Sequence, residues 1–534
     1  MKMYNKVVTA AEAVSHIPDN AFVAVSGVNV AGTPMELLDA IADRFKKEGR
    51  PRSIDFTNSG NNAYMHPIAV EGLAGVYYAG FPALGFKTED GGFTDRNVIP
   101  VFHLTQGIGT QFYRAQAAKV PYLTRIGIGT YLDPRIDAGC ANEKARALQK
   151  EKEIVKLVTI DGTEYLHIDL PPVTVALIRG TSADTDGNLI NDDEAIKNEL
   201  LPMAMAAHNN GGIVIAQVKT VVEPGQIDAA DVKVPGMLVD YVVQCTDIEK
   251  WAPQQFAVLT DPEYGKFQPG LTGHCNVSVD EIPMKSWAPT GIKLAIARRA
   301  MMELRPGCTS NVGLGIPTGI PYAAYLEGIH DKYYQTIELG AIGGYTGSGW
   351  YFSTAFNAWA YLDHHEMFAF IDGGGLDITF LGVGDIDEKG CVNVTRIKGI
   401  TNGSGGFINI STNAGKVVFL TTHTAGGKIE TVDGKVKIIE EGKPLKFVKK
   451  VEQVSFNTAE AKKRGQEVMC ITERAVFRIE DEKMILTEYA EGLDIEKDII
   501  APMGFRPEIS HDLKTIPAIV FTDELLGLKA EWEE

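Results

Sequence analysis

Glu338 stands at the end of an apolar, strand-like run, Tyr334-Gln-Thr-Ile-Glu-Leu-Gly-Ala-Ile-Gly-Gly344, and glycines follow it almost at once. A carboxylate placed where a buried strand meets a glycine loop is costly to ionise unless it is paired or used, because desolvation opposes its charge. Such a group can attack an activated acyl carbon and form a covalent intermediate, provided the glycines let a bulky thioester come within bonding distance. The other reading is an ordinary glutamate in a partly wet turn. Gly313-Leu314-Gly315-Ile316-Pro-Thr-Gly319 follows a β-rich run, so its backbone can approach a phosphate or a pantetheine chain closely. It spells GxGxxxG, not the dinucleotide fingerprint GxGxxG, and Pro317 and Pro321 are expected to interrupt the helix that would receive a pyrophosphate. A tight structural loop would read the same way.

Two further glycine loops, Asp372-Gly-Gly-Gly375 and Thr401-Asn-Gly-Ser-Gly-Gly-Phe-Ile-Asn409, can present backbone N–H groups to an oxyanion. Neither forms a nucleophile elbow, so Ser404 is no hydrolase serine. Gln106, in Leu104-Thr-Gln-Gly-Ile-Gly109, offers a side-chain amide donor in another glycine loop but carries no meaning alone. His364-His365-Glu366 hints at a metal, yet adjacent histidines diverge on a helix or strand and no third ligand has diagnostic spacing. Solvated or core histidines are the simpler reading, and no metal site is expected. Residues 428–464 hold ten Lys+Arg against six Asp+Glu around an Asp433-Gly434 hairpin signal, a basic exception that reads as a solvated face or an anion-attracting one.

The elements that must position these residues are strands and helices in alternation. Phe22-Val-Ala-Val-Ser26, Val175-Ala-Leu-Ile-Arg179, Ile213-Val-Ile-Ala-Gln-Val218, Phe368-Ala-Phe-Ile371 and Val417-Val-Phe-Leu420 are nearly continuous apolar runs, as expected of strands covered on both faces. An α/β architecture follows. The clearest helix is expected after Thr33, with Thr33 as N-cap, Pro34 at the first helical position, Glu36 completing a capping box, and Leu37, Leu38, Ile41 and Phe45 on one face before Gly49. A second, near residues 293–304, buries Ile296, Ala300 and Leu304 and stops at Pro306-Gly307. A strand, a glycine loop and a Gly-x-Pro turn occur once in each half, and acidic turns closed by glycine recur at Asp184-Thr-Asp-Gly187 and Asp387-Glu-Lys-Gly390. Two related α/β domains, 1–280 and 281–534, are expected, joined through Ile282-Pro-Met-Lys-Ser-Trp-Ala-Pro289.

A chain of 534 residues exceeds one core, and its apolar and charged fractions, 45% and 22%, exclude wholesale disorder. The formal charge of −18 disfavours nucleic acid and anionic membrane surfaces. Apolar stretches such as Gly212-Ile-Val-Ile-Ala-Gln-Val218 fall far short of the ~20 residues that span a bilayer. The N-terminus has no apolar core of a signal peptide, so cytoplasmic residence is expected. The six scattered cysteines contain no CxxC and read as reduced structural thiols.

Together these residues resemble the family I coenzyme A transferases, in particular the long single-chain acetate/propionate type in which both homologous domains are fused. The resemblance rests on residues 19–34, with Ser26 where the family pattern usually has the first glycine of a pair, and on Arg125-Ile-Gly-Ile-Gly-Thr130, Asp133-Pro-Arg135, Ala176-Leu-Ile-Arg-Gly-Thr181, Val232-Lys-Val-Pro-Gly236 and Gly406-Phe-Ile-Asn-Ile410. Glu338-Leu-Gly-Ala-Ile-Gly-Gly344 matches the setting of the family's nucleophilic glutamate. The resemblance implies Gln106 as one oxyanion donor, Gly405 or Gly406 as its backbone partner, and the Gly313, Leu314, Gly315 and Ile316 loop, with Gly406, as contacts of CoA. It further implies an open α/β fold in each half with the active site at their interface, a homodimer or homotetramer, acyl-CoA and small carboxylic acids as substrates, and no cofactor beyond the CoA thioester itself. The expected activity is reversible CoA transfer from a short-chain acyl-CoA to a carboxylate; an acyl-CoA hydrolase on the same scaffold and a non-catalytic CoA- or nucleotide-binding regulator are the alternatives. Residues 350–361 are more aromatic than expected after the nucleophile loop of a plain acetate or propionate enzyme, which reads as a reshaped acyl pocket or as core packing.

Overall fold

The computed structural model describes residues 5–60, 64–81, 97–254, 288–347, 352, 355–397, 399–443 and 445–534, and in it four of the five continuous apolar runs lie in parallel strands. The chain divides into two units. The first comprises Met1–Cys275 with Tyr361–Ala369 and Ile400–Gly406, and the second the remainder. The expected boundary at residue 280 and most of the proline-containing connection lie outside the described residues.

In the first unit, Phe22–Val25 pairs in parallel with Val175–Asp184 on one side and Ile54–Asn58 on the other. The ladder continues through Ile213–Val222 to Tyr241–Gln244, and through Ala74–Ala79 to Val101–His103. In the second unit, Thr309–Val312 pairs in parallel with Ile378–Gly382 and Tyr334–Thr336, and Lys416–Leu420 and Glu467–Ile471 extend that ladder. These five parallel strands have the same order in both units, so the repetition seen in sequence is a repeated ladder. The second unit then adds antiparallel strands Ala475–Glu480 and Lys483–Tyr489 and an edge strand, Glu508–Thr515.

The two ladders differ in chemistry. Phe22, Val23, Ala24 and Val25 are apolar and buried, whereas the matching strand carries buried Ser310 and Asn311. Asn311 Nδ2 donates to the Thr336 carbonyl at 3.2 Å, Thr336 Oγ1 to the Ser310 carbonyl at 3.0 Å, and Thr379 Oγ1 to the Asn311 carbonyl at 3.3 Å.

Helix Met35–Glu48 lays Leu37, Leu38 and Ile41 against Val23, Val25 and Phe56 and ends at Gly49, which has φ 66°. Its N-terminus differs from expectation: Pro34 is the N-cap, no side chain of its own caps it, and Gln217 Oε1 accepts from the N–H groups of Glu36 and Leu37 at 3.0 and 3.4 Å. With those orphan donors satisfied from a distant strand, the Glu36 carboxylate is free to accept from the Thr246 N–H and hydroxyl. The run Phe368-Ala-Phe-Ile371 is also not a strand but part of helix His364–Asp372. His364, Met367, Phe368 and Ile371 are buried while Ala369 and Phe370 are exposed, a period of 3.6 hidden by a short apolar run. Helix Ile292–Met301 buries Ile296 and Ala300 with Val312 and Phe380 as expected, and Asp433-Gly434 closes the Lys428–Val432/Lys435–Glu440 hairpin. Cys140, Cys245, Cys308, Cys391 and Cys470 are buried free thiols, and Cys275 lies outside the described residues. Among the described residues no helix is long and apolar enough to cross a membrane.

Candidate active site

In the second unit the Tyr334–Thr336 strand turns back on itself, with Thr336 opposite Ile342. The Ile337 N–H donates to the Ala341 carbonyl and the Gly340 N–H to the Ile337 carbonyl, both at 2.9 Å, so Glu338 rides the crest of a tight hairpin. It is 7% exposed. Gly343 and Gly344 have φ 71° and 73°, a conformation L side chains rarely adopt. A Cβ on Gly343 would lie 2.2 Å from the Trp359 ring, and one on Gly344 2.2 Å from the Phe356 carbonyl oxygen. The glycines therefore let Trp359 and the Phe356 backbone clamp the base of the hairpin. Trp359 is itself half exposed and meets Tyr334 edge to face. Trp350 lies outside the described residues.

The neighbouring strand, Thr309–Val312, opens into the expected glycine loop. Leu314, Gly315 and Ile316 line a cleft of about 840 Å³ together with residues 382–384 and 420–422, Pro289, Thr290, Lys293 and Lys446. Gly313 does not line it, because its N–H continues the ladder to the Phe380 carbonyl at 2.8 Å. Gly406 belongs to the first unit. The cleft lies beyond the carboxyl ends of adjacent parallel strands, where open α/β sheets hold ligands. The prolines expected to interrupt the following helix instead start it: Pro317 lies in the 3₁₀ turn Ile316–Thr318 and Pro321 in the first turn of Gly319–Leu326, where an N–H has no intrahelical acceptor to lose. Lys446 Nζ donates to the Gly384 carbonyl at 2.8 Å, and burial holds its ammonium below the ordinary lysine value despite Asp385 nearby. Lys293 and Lys446 give the cleft two cations and the Ile292–Met301 helix one N-terminus, a set suited to phosphate oxygens.

The first unit gathers the other candidates. Gln106 begins helix Gln106–Ala118 and is buried. Its N–H donates to the Gly405 carbonyl at 2.9 Å, and Thr105 Oγ1 donates to the same oxygen at 2.7 Å. The Gly405 N–H is itself engaged, donating to the Gly80 carbonyl at 2.9 Å, so of the two glycines left open by sequence it is Gly406 whose N–H is, among the described residues, not used in that way. Tyr131 and Ser404 hydroxyls meet at 2.8 Å beside them.

Sequence reasoning missed the polar group beneath Gln106. Ser59, which follows the Ile54–Asn58 strand, donates through its hydroxyl to Glu199 Oε1, and Glu199 Oε2 lies 2.8 Å from His364 Nδ1. All three are buried. Burial opposes the Glu199 charge, but His364 and the Ser59 hydroxyl outweigh it and hold the carboxyl below its ordinary range. The signal in the sequence was only a His-His pair, read as solvated or core histidines, and nothing local to Glu199 marks it.

The repeated ladders allow position-by-position comparison. Val23 pairs with both Val175 and Phe56, and Ser310 with both Ile378 and Gln335. Counting from these rungs, Ser59 takes the place of Glu338, and Arg179 that of Gly382.

The family model for coenzyme A transferases matches residues 7–245. The chain is 37% identical to the caffeate CoA-transferase of Acetobacterium woodii, over 98% of each chain. It is 36% identical to the acetate CoA-transferase YdiF of Escherichia coli K12, over 98% of this chain and 96% of that one. The crystal structure of the acyl-CoA transferase YdiF from Escherichia coli O157:H7 matches with a TM-score of 0.88 at 34% identity, covering 99% of this chain and 98% of that one. A structure of the same enzyme as its thioester complex with CoA matches with a TM-score of 0.87 at 34% identity, covering 98% and 97%.

Proposed function

The chain belongs to the coenzyme A transferases and moves CoA between an acyl-CoA and a free carboxylate, and from that premise we propose a ping-pong route through Glu338. The Glu338 carboxylate attacks the thioester carbonyl, giving a mixed anhydride and CoA thiolate. The thiolate then attacks the Glu338 carbonyl, releasing the free acid and leaving a glutamyl-CoA thioester. An incoming carboxylate reverses both steps. Atoms and charge balance with substrates and Glu338 alone. Gln106 and a backbone N–H, that of Gly406 in preference to the engaged Gly405, take the developing oxyanions, where loss of one donor costs ~10²–10³ in rate. CoA lies along Leu314, Gly315 and Ile316, its phosphates toward Lys293 and Lys446, and these remote contacts supply binding energy used at the reacting carbon.

The observation that carries this reading is a buried carboxylate at the crest of a glycine-built hairpin whose strand pairs with the one that opens into a cation-bearing cleft. Incubation with an acyl-CoA and no acceptor, then borohydride reduction and mass spectrometry, is expected to find the change on Glu338. An adduct on another residue, or full turnover by Glu338→Ala, overturns the route. Near-equal identity to relatives named for acetate and caffeate leaves the acid to local residues; we place the physiological acid among short-chain ones such as acetate or propionate, with Trp359 shaping the acyl site. We further place the protein in the cytoplasm as a homodimer or homotetramer of two transferase domains, 1–280 and 281–534, which light scattering and limited proteolysis test.

A further inference from the structure

The Ser59, Glu199 and His364 chain takes no part in the route above, yet it lies directly under the residue assigned as donor. A Cβ on Gly109 would come 2.7 Å from Ser59 Cα, and one on Gly80 would come 2.6 Å from the Ser59 carbonyl oxygen and 3.0 Å from Gln106 Cγ. The Ser59 backbone is thus the floor on which the first turn of the Gln106–Ala118 helix rests. What fixes that floor is the Ser59 hydroxyl on Glu199, and what orients Glu199 is His364. Glu199 is the N-cap residue of helix Leu200–Asn209 but makes no side-chain capping bond, so its carboxylate is committed to Ser59 and His364. The segment holding His364 grips the helix a second time, because Gln111 Nε2 donates to the His365 carbonyl at 2.7 Å.

We infer that His364 and Glu199 are positioning residues for Gln106, acting through Ser59 to hold the amide donor where the oxyanion forms. A neutral, apolar contact would leave the floor free to slide, whereas a charge-assisted chain fixes both direction and distance. Misplacement of a donor by about an ångström costs on the order of 10²-fold, so a device of this kind is felt in turnover before it is felt in binding. The inference rests on the reading of Gln106 as an oxyanion donor.

A double-mutant cycle tests it, with kcat and KM for acyl-CoA measured beside thermal unfolding. Ser59→Ala removes one hydroxyl and is expected to lower kcat about 10-fold with KM unchanged, and His364→Leu to lower it up to about 100-fold. His364→Gln, which restores an N–H donor toward Glu199, is expected to recover much of that loss. In a Gln106→Ala background, Ser59→Ala is expected to cost less than about 2-fold more, because the group it positions is gone. If the Ser59 and Gln106 losses multiply, or Ser59→Ala lowers the melting temperature while kcat stays unchanged, the inference is overturned. If Gln106→Ala alone turns over at the wild-type rate, the donor reading fails and the inference falls with it, a result distinguishable from the first two. Ser59→Ala carries the test should His364→Leu fail to fold.

Discussion

The two units carry the same glycine loop on the same rung of the same ladder, and use it in opposite ways. In the first unit the loop binds itself. The buried Arg179 guanidinium donates to the Val30 and Thr33 carbonyls at 3.0 Å and pairs with Glu194 at 2.6 Å, while the Ser26 hydroxyl closes onto the Gly32 carbonyl at 2.7 Å. In the second unit Gly382 stands where Arg179 would, Gly313 stands where Ser26 would, and the loop lines an open cleft of about 840 Å³. In the first unit a side chain at the end of a strand donates into the loop's backbone from inside the protein, and in the second a glycine at that place leaves the loop bordering the cleft. The rung that carries Glu338, the proposed nucleophile, in the second unit carries Ser59 in the first, so the proposed route uses only one half of the duplication.

The largest effect expected from breaking this asymmetry is at Glu338. Glu338→Gln keeps the shape of the hairpin and should lower transferase turnover by at least about 10⁴-fold, read in a donor–acceptor assay. Next is Arg179→Leu, which strands Glu194 in the core and should cost about 3–5 kcal/mol in denaturant unfolding. Burial opposes the Glu194 charge, but Arg179 and Lys219 outweigh it and lower its value. A lowered carboxyl contributes stability that is complete above the ordinary carboxylate range and lost as pH falls through the lowered value. The gap between wild type and variant should therefore shrink in acid. Gly382→Arg installs the first unit's filling in the second, and should weaken CoA binding on the order of 10²-fold in calorimetry with the fold intact. The smallest effect is at Trp359, where Trp359→Ala should shift the kcat/KM ratio between small and large acids by about 10-fold while sparing CoA affinity.

Much of this was legible from residues alone where backbone geometry forces composition. The glycines after Glu338 marked a loop in the sequence, and at Gly343 and Gly344 the reason is steric, since a Cβ there would strike Trp359 or the Phe356 backbone. The repeat was legible for the same reason. What was not legible came from partners far away in sequence. Gln217 caps a helix that Thr33 and Glu36 were expected to cap, and its separation from Glu36 is 181 residues. Glu199 lies 140 residues from Ser59 and 165 from His364, so no local pattern joins them. Phe368-Ala-Phe-Ile371 was misread because four apolar residues are too few to distinguish a period of 2 from one of 3.6. Pro317 and Pro321 were misread because a proline in a first turn and one in a helix interior look alike until the helix start is known.

The polar rungs of the second ladder bear on a hazard that duplication brings, the exchange of strands between halves while the chain folds. Two ladders of equal order offer each strand two docking places, and misassembly between like segments is a characteristic failure of repeated proteins. Here the places are not interchangeable. Asn311 donates to the Thr336 carbonyl, Thr336 to that of Ser310 and Thr379 to that of Asn311, and Phe22, Val23, Ala24 and Val25 bring no side-chain donors or acceptors. A strand from the first half inserted between Ile378–Gly382 and Tyr334–Thr336 would break those bonds, and Thr309–Val312 inserted in the first half would meet Ala176 where Thr379 donates to the Asn311 carbonyl. Each buried polar group left unmatched costs about 1–3 kcal/mol, so mispaired chains are disfavoured before either core closes.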